Sequence, residues 1–122
     1  MKLIEAIARL DELKPNGFSI AQKINWLSAL DGTVKTEIMD RHEGGSNEDF
    51  VPYTEEDKER ELLVGAPYEE IYLRYMEAQI DYANGEYERF NNSNAMYAAA
   101  YSAFERAYNR SHRPLCVKKK YF

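Results

Sequence analysis

The chain is poor in the residues that do chemistry. Its 122 residues hold one cysteine and two histidines. The lone Cys116 can close no disulfide within the chain, and it fits a reducing compartment without requiring one. His42 and His112 stand far apart in sequence and match no ligand spacing such as HExxH. His42, within Asp40-Arg41-His42-Glu43, reads as a solvated helix end rather than a metal ligand or an acid–base pair. Asn47, Glu48 and Asp49 lack the alternation and the sixth-position glycine of a calcium loop. Gly44-Gly45 has no Lys-Ser/Thr pair after it and no strand before it, so it is not a phosphate loop. These absences leave no catalytic, cofactor-binding or metal-binding residue to nominate, and the chain is expected not to be an enzyme. Long apolar runs are missing too. None approaches the roughly 18 residues of a membrane span. Glu5, Arg9, Asp11 and Glu12 interrupt what would be the apolar core of a signal peptide. The expectation is a protein made and kept in the cytoplasm. A net charge of −5 argues against nucleic-acid binding by the surface at large.

Tyrosine is what the chain has in quantity: ten Tyr and five Phe, against one Trp. Tyr offers a large contact area, few rotatable bonds and a polar tip, which suits the edges of a core and protein interfaces alike. Residues 66–110 carry most of these rings. Tyr72, Met76, Tyr87, Phe90, Tyr97, Tyr101, Phe104 and Tyr108 recur at the return period of an α-helix. A second row, Ile71, Tyr75, Ala78 and Tyr82, widens the apolar face.

Read in order, residues 2–14 form an amphipathic helix with Leu3, Ile7, Leu10 and Leu13 on its apolar side. Pro15, Asn16 and Gly17 end it. Ser19-Ile20-Ala21-Gln22 is a capping-box pattern that opens a second helix, 19–43, with Phe18 placed to staple onto Lys23 or Ile24. Ile20, Ile24, Leu27, Val34 and Ile38 share one face. Trp26 lies off its centre, toward another helix or another subunit. Gly32 in mid-helix costs roughly 1 kcal/mol relative to Ala, which implies a close neighbour or a bend. Gly44-Gly45 stops the helix. Residues 44–66 read as an irregular acidic insertion, in which Thr54-Glu55-Glu56-Asp57 caps one short turn and Leu62-Leu63-Val64 packs on the core. Pro67 then sits in the first turn of a third helix, 67–91. The apolar period crosses Asn84-Gly85 without a phase slip, so the break is expected at Asn91-Asn92-Ser93-Asn94, which favour caps and turns. A fourth helix, 93–110, follows, and one unbroken helix is the competing reading. The sum is an all-α bundle of about four helices in one domain, 1–114, with a long acidic loop and a flexible basic tail, 115–122.

Charge is divided along the chain. From Glu43 to Glu70 only Lys58 and Arg60 oppose a run of carboxylates, whereas from Arg106 to Phe122 every charged residue is basic. Two solvated segments of opposite sign are one reading. The other is contact between unlike surfaces of neighbouring copies, which generates rings when it closes and is steered by charge. Lys118, Lys119 and Lys120 alone would grip nucleic acid weakly, and no recognition motif accompanies them.

The segments 22–34 (QKINWLSALDGTV), 61–104 (ELLVGAPYEEIYLRYMEAQIDYANGEYERFNNSNAMYAAAYSAF) and 107–114 (AYNRSHRP) resemble small proteins of tailed-phage and prophage head modules in Gram-positive bacteria, the head–tail connectors or neck adaptors. The resemblance implies a mostly α-helical protein that forms a ring beneath the portal, presents a surface to the next neck or tail component, and passes DNA without reading its sequence. It implies residence in the bacterial host cytoplasm during assembly and in the virion neck afterwards. By position, the tail with Lys118, Lys119, Lys120, Tyr121 and Phe122 would dock on the portal. The loop with Tyr53, Glu55, Glu56 and Asp57 would meet a neighbouring subunit or the next component. The alternative is a small cytoplasmic helical binding module or regulator that uses its tyrosine face.

Overall fold

A computed structural model describes residues 1–43 and 48–115. Four helices carry the fold: α1 Leu3–Leu13, α2 Ile20–Glu37, α3 Glu70–Ala83 and α4 Tyr87–Ser111. Single 3-10 turns lie at Met39–Arg41 and Glu55–Asp57. The only β-type pairings among the described residues are two isolated bridges, Lys2 with Glu61 and His42 with Pro114. The all-α bundle expected from the sequence is the fold observed.

The first two helices follow their local chemistry. In α1, Leu3, Ala6, Ile7 and Leu10 are buried, and the Glu5 carboxylate turns back to accept from the Lys2 N–H at 2.7 Å. Leu13, one residue before the chain turns away, is 64 % exposed despite its place in the pattern. Ser19 caps α2 by accepting the Gln22 N–H at 3.1 Å. The Phe18 ring packs against Trp26 at 5.3 Å, at the edge of the core cluster that includes Ile24. Trp26 is thereby buried within the chain, not held out for a second subunit.

The second helix ends earlier than expected, at Glu37 rather than 43. Its last carbonyls are taken up by a tighter turn. The Ile38 carbonyl accepts from the Arg41 N–H at 3.2 Å and from His42 Nδ1 at 2.6 Å. Lys35 and Asp40 pair across the same turn. His42 is accordingly buried, which corrects its reading as a solvated helix end.

The largest departure lies between α3 and α4. The chain breaks at Asn84–Glu86, and Asn91 to Asn94 lie inside α4. Gly85 has φ +72°, the left-handed region where glycine pays no Cβ penalty. The Glu86 N–H donates to the Asp81 carbonyl at 3.0 Å and the Gly85 N–H to the Tyr82 carbonyl at 3.1 Å. That pair of bonds is a Schellman ending. The polar run 91–94 is tolerated because Ser93 Oγ finds acceptors at hand: the Arg89 carbonyl at 3.0 Å and the Asp81 carboxylate at 2.9 Å. The third helix also starts later than expected, at Glu70; Pro67 belongs to a preceding turn closed by Tyr68 N–H on the Gly65 carbonyl at 3.0 Å.

These corrections make α3 and α4 an antiparallel hairpin with an aromatic seam. Tyr82 meets Phe90 at 5.2 Å, Tyr75 meets Tyr97 at 5.0 Å and Tyr68 meets Phe104 at 6.0 Å. Each step along the seam is seven residues on both strands of the hairpin, the near-integral repeat of two packed helices. Beneath it lies the core, where Leu3, Leu10, Leu27, Leu30, Ile71, Tyr72, Met76 and Ile80 are almost wholly excluded from solvent.

Candidate functional site

The acidic segment is built onto the helices by a buried carboxylate. Asp31 shares the apolar stripe of α2 with Leu27, Val34 and Ile38, and it is fully buried. Its Oδ2 accepts from the Tyr53 hydroxyl at 2.6 Å and from the Leu63 N–H at 3.1 Å. Its Oδ1 accepts from the Tyr72 hydroxyl at 2.7 Å. The Tyr72 oxygen in turn accepts the Val64 N–H at 2.7 Å. One carboxylate thus ties α2 to α3 and to two points of the segment between them. Burial raises the Asp31 pKa above the ordinary carboxylate value, and the three donors work against that rise. Burial, then the nearby Asp31 charge, raises the pKa of both Tyr53 and Tyr72, so these phenols donate throughout the physiological range.

Further contacts fasten the same segment to the start of the chain. The Leu3 and Ile4 N–H groups donate to the Arg60 and Lys58 carbonyls at 2.9 and 3.0 Å, and the Leu62 N–H donates to the Met1 carbonyl at 2.9 Å. The Met1 ammonium lies between Glu69 and Glu61, whose hydrogen bonds raise its pKa. Lys2 pairs with Glu59 at 3.0 Å, and that bond raises its pKa as well. Thr54 caps the short turn as expected: its Oγ1 accepts the Glu56 N–H at 3.3 Å, and Asp57 accepts the Thr54 N–H at 2.7 Å. Phe50 closes over Gly32, its ring 3.4 Å from where a Cβ would stand. The close neighbour implied by that glycine is therefore the acidic segment.

The candidate residues now divide. Tyr53 is 5 % exposed and bonded to Asp31, so it is a core residue and not a contact offered to a partner. Asp57 serves the Thr54 cap and lies 3.7 Å from Arg60. Glu55 and Glu56 are exposed and have no ion-pair partner among the described residues. Lys118, Lys119, Lys120, Tyr121 and Phe122 lie outside the described residues, as does Cys116.

The base of the tail is anchored. The Glu43 N–H donates to the Arg113 carbonyl at 2.8 Å, and the Leu115 N–H to the Arg41 carbonyl at 2.9 Å. The two histidines, distant in sequence, meet on one ring: Tyr108 has His42 edge-on at 5.0 Å and His112 stacked at 3.7 Å. Arg106, Arg110 and Arg113 are exposed. In the last turn of α3, buried Asp81 accepts from Lys14 at 2.5 Å as well as from Ser93. Tyr97, half-buried against Tyr75, has its pKa pushed up to about 12, first by burial.

Asp31 is the residue that sequence reasoning passed over. Its signal was a lone carboxylate at helical spacing between Leu27 and Ile38, a position that demands partners if it is to be buried. Among the described residues no three His, Cys, Asp or Glu side chains are grouped to hold a metal ion. No described helix is long and apolar enough to cross a membrane. Comparisons of the chain with protein-family models, with curated proteins and with solved structures return no match.

Proposed function

We propose that this chain is a structural assembly protein of a tailed phage or prophage, a head–tail connector that joins a ring at the portal vertex and links the head to tail components. The observation that carries the reading is the fastening of both charged segments to the helical body. Asp31 and the α1 backbone hold the segment that bears Glu55 and Glu56, while Arg41 and Glu43 hold the chain at Leu115 and Arg113, where it follows Arg106 and Arg110 of α4. Surfaces of opposite sign that are already ordered lose little entropy on docking, and unlike surfaces on one chain allow each copy to meet the next head to tail. The resemblance of residues 22–34, 61–104 and 107–114 to neck proteins supplies the identity of the assembly. In that setting the partners are the portal protein, the next neck component and further copies of the chain, which meet head to tail only on the portal. The ring would pass DNA without gripping it, as suits a chain of net charge −5. The protein would do no catalysis, and it would work in the host cytoplasm before joining the virion neck.

The test is reconstitution with the portal ring of a tailed phage of Gram-positive bacteria. Light scattering is followed across concentration, for the chain alone and with portal. Co-migration with the portal, weakened by Glu55→Lys with Glu56→Lys, is the expected result. A chain that never joins the portal at any concentration would end the connector reading and leave the stand-alone binding module.

A further inference from the structure

The outward side of α4 has an unusual charge pattern for an exposed helix. Only Phe104 of its residues is buried. Phe90, Tyr97 and Phe104 turn toward α3; on the opposite side Glu88, Asn91, Ala95, Ala99 and Arg106 are exposed. From Phe90 to Phe104 no charged residue occurs, whereas the exposed side of α1 carries Glu5, Arg9, Asp11 and Glu12. A solvated helix face is ordinarily charged along its length. This one is charged only at its ends, and with opposite signs. Glu88 and Arg106 lie about five helical turns apart, so they fall on the same line along the helix, separated by about 27 Å. Neither has an ion-pair partner among the described residues.

We propose that this face pairs with the same face of a second copy, the two α4 helices running antiparallel about a two-fold axis near residue 97. In that register Glu88 of each copy meets Arg106 of the other, and Ala95 of each meets Ala99 of the other. The small side chains at the centre let the two axes approach to about 8 Å. A parallel arrangement would set Glu88 against Glu88 and Arg106 against Arg106, so the charges choose the occupant and its direction together. The contact is isologous and closes at two copies. It goes beyond the connector reading and stands on α4 alone.

Sedimentation equilibrium of the full chain tests it, over about 10 μM to about 1 mM, the range in which a small interface associates. The expected mass rises from 14.2 kDa toward twice that value and stops there. Glu88→Arg alone and Arg106→Glu alone are each expected to weaken the dimer about tenfold, as the loss of two symmetric exposed charge pairs should. The double variant, Glu88→Arg with Arg106→Glu, restores it, because each contact is reversed intact. An equimolar mixture of the two single variants gives a mixed dimer. A chain that stays monomeric throughout overturns the proposal, as does a mass that climbs past two. So does a double variant no tighter than the singles. Lower thermal stability of the single variants without any change of mass would assign Glu88 and Arg106 to the helix's own dipole and would also overturn it.

Discussion

Asp31 concentrates more of the fold on one side chain than any other residue described. A carboxylate removed from water is costly unless its lone pairs are filled, and here a hydroxyl from each of Tyr53 and Tyr72 and one backbone N–H fill them. Asp31→Asn leaves a single carbonyl to accept and turns an amide N–H₂ toward existing donors. The expected loss is about 1–3 kcal/mol at neutral pH, read as a shift of the urea midpoint without change of slope. The pH dependence has a definite sign. Burial raises the Asp31 pKa in the fold above its ordinary value of 3.8. The fold therefore binds that proton more tightly than the unfolded chain does. This contribution to stability is fully present below about 3.8 and is lost as pH rises through the folded value. The margin of the parent chain over Asp31→Asn should narrow as pH rises across that window. A margin that widened instead would mean that the three donors outweigh burial. Asp31 stands on an apolar stripe, a signal present in the sequence but passed over. The sequence could not name Tyr53 and Tyr72 as partners, since these are joined to Asp31 only by the path of the chain from 48 to 66.

At the scale of elements, the α3–α4 hairpin shows how periodicity can be right about helix and wrong about continuity. The apolar period ran through Asn84-Gly85 in phase because both arms of the hairpin present their rings to the same seam. A tight Schellman turn reversed the chain without disturbing the count. What distinguishes Gly85 from a tolerated mid-helix glycine is its backbone, not its neighbours. At φ +72° with open space around it, Gly85→Ala is strained and should cost about 1 kcal/mol. Gly32 is the converse. It is helical, and a methyl there would touch the Phe50 ring at an ordinary 3.4 Å, so Gly32→Ala should gain up to about 1 kcal/mol from helix propensity. Thermal denaturation of the two variants should move the midpoint in opposite directions. The seam gives a second contrast. Tyr97→Ala removes a ring packed on Tyr75 and Tyr101 and should cost about 3 kcal/mol. Tyr87→Ala, at a ring 64 % exposed, should change stability by about 0.5 kcal/mol. Equal losses at both positions would mean that the seam is not what holds the hairpin.

On the scale of the whole molecule, charge and order are arranged together. The sequence made the division of charge plain, but it left the acidic stretch as an irregular insertion and the residues from 115 on as a flexible tail, of which only Leu115 lies among the described residues. The fold shows how the acidic stretch and the start of the tail are held. The acidic segment is stitched to α1 and α2, and the basic end is fixed as far as Leu115, whose N–H reaches Arg41. Removing residues 116–122 should therefore leave the unfolding transition in place, whereas ending the chain before Arg113 should lower it, because the bonds to Glu43 and Arg41 are lost. If the connector reading holds, the shorter deletion still abolishes joining to the portal ring. Reversing Glu55 and Glu56 to Lys tests the other pole. Both are exposed and take no part in the Asp31 network, so stability should hold within about 0.5 kcal/mol. Association with a basic partner should weaken, and the part that is lost should be the part that added salt already suppresses in the parent chain. A reversal that left assembly and its salt dependence untouched would place the contact elsewhere and reduce the acidic pole to a solvated surface. The argument turns on that separation of effects. In this chain the residues that hold the segments in place, Asp31, Tyr53 and Tyr72, are distinct from those the segments display, Glu55 and Glu56, so folding and assembly can be altered one at a time.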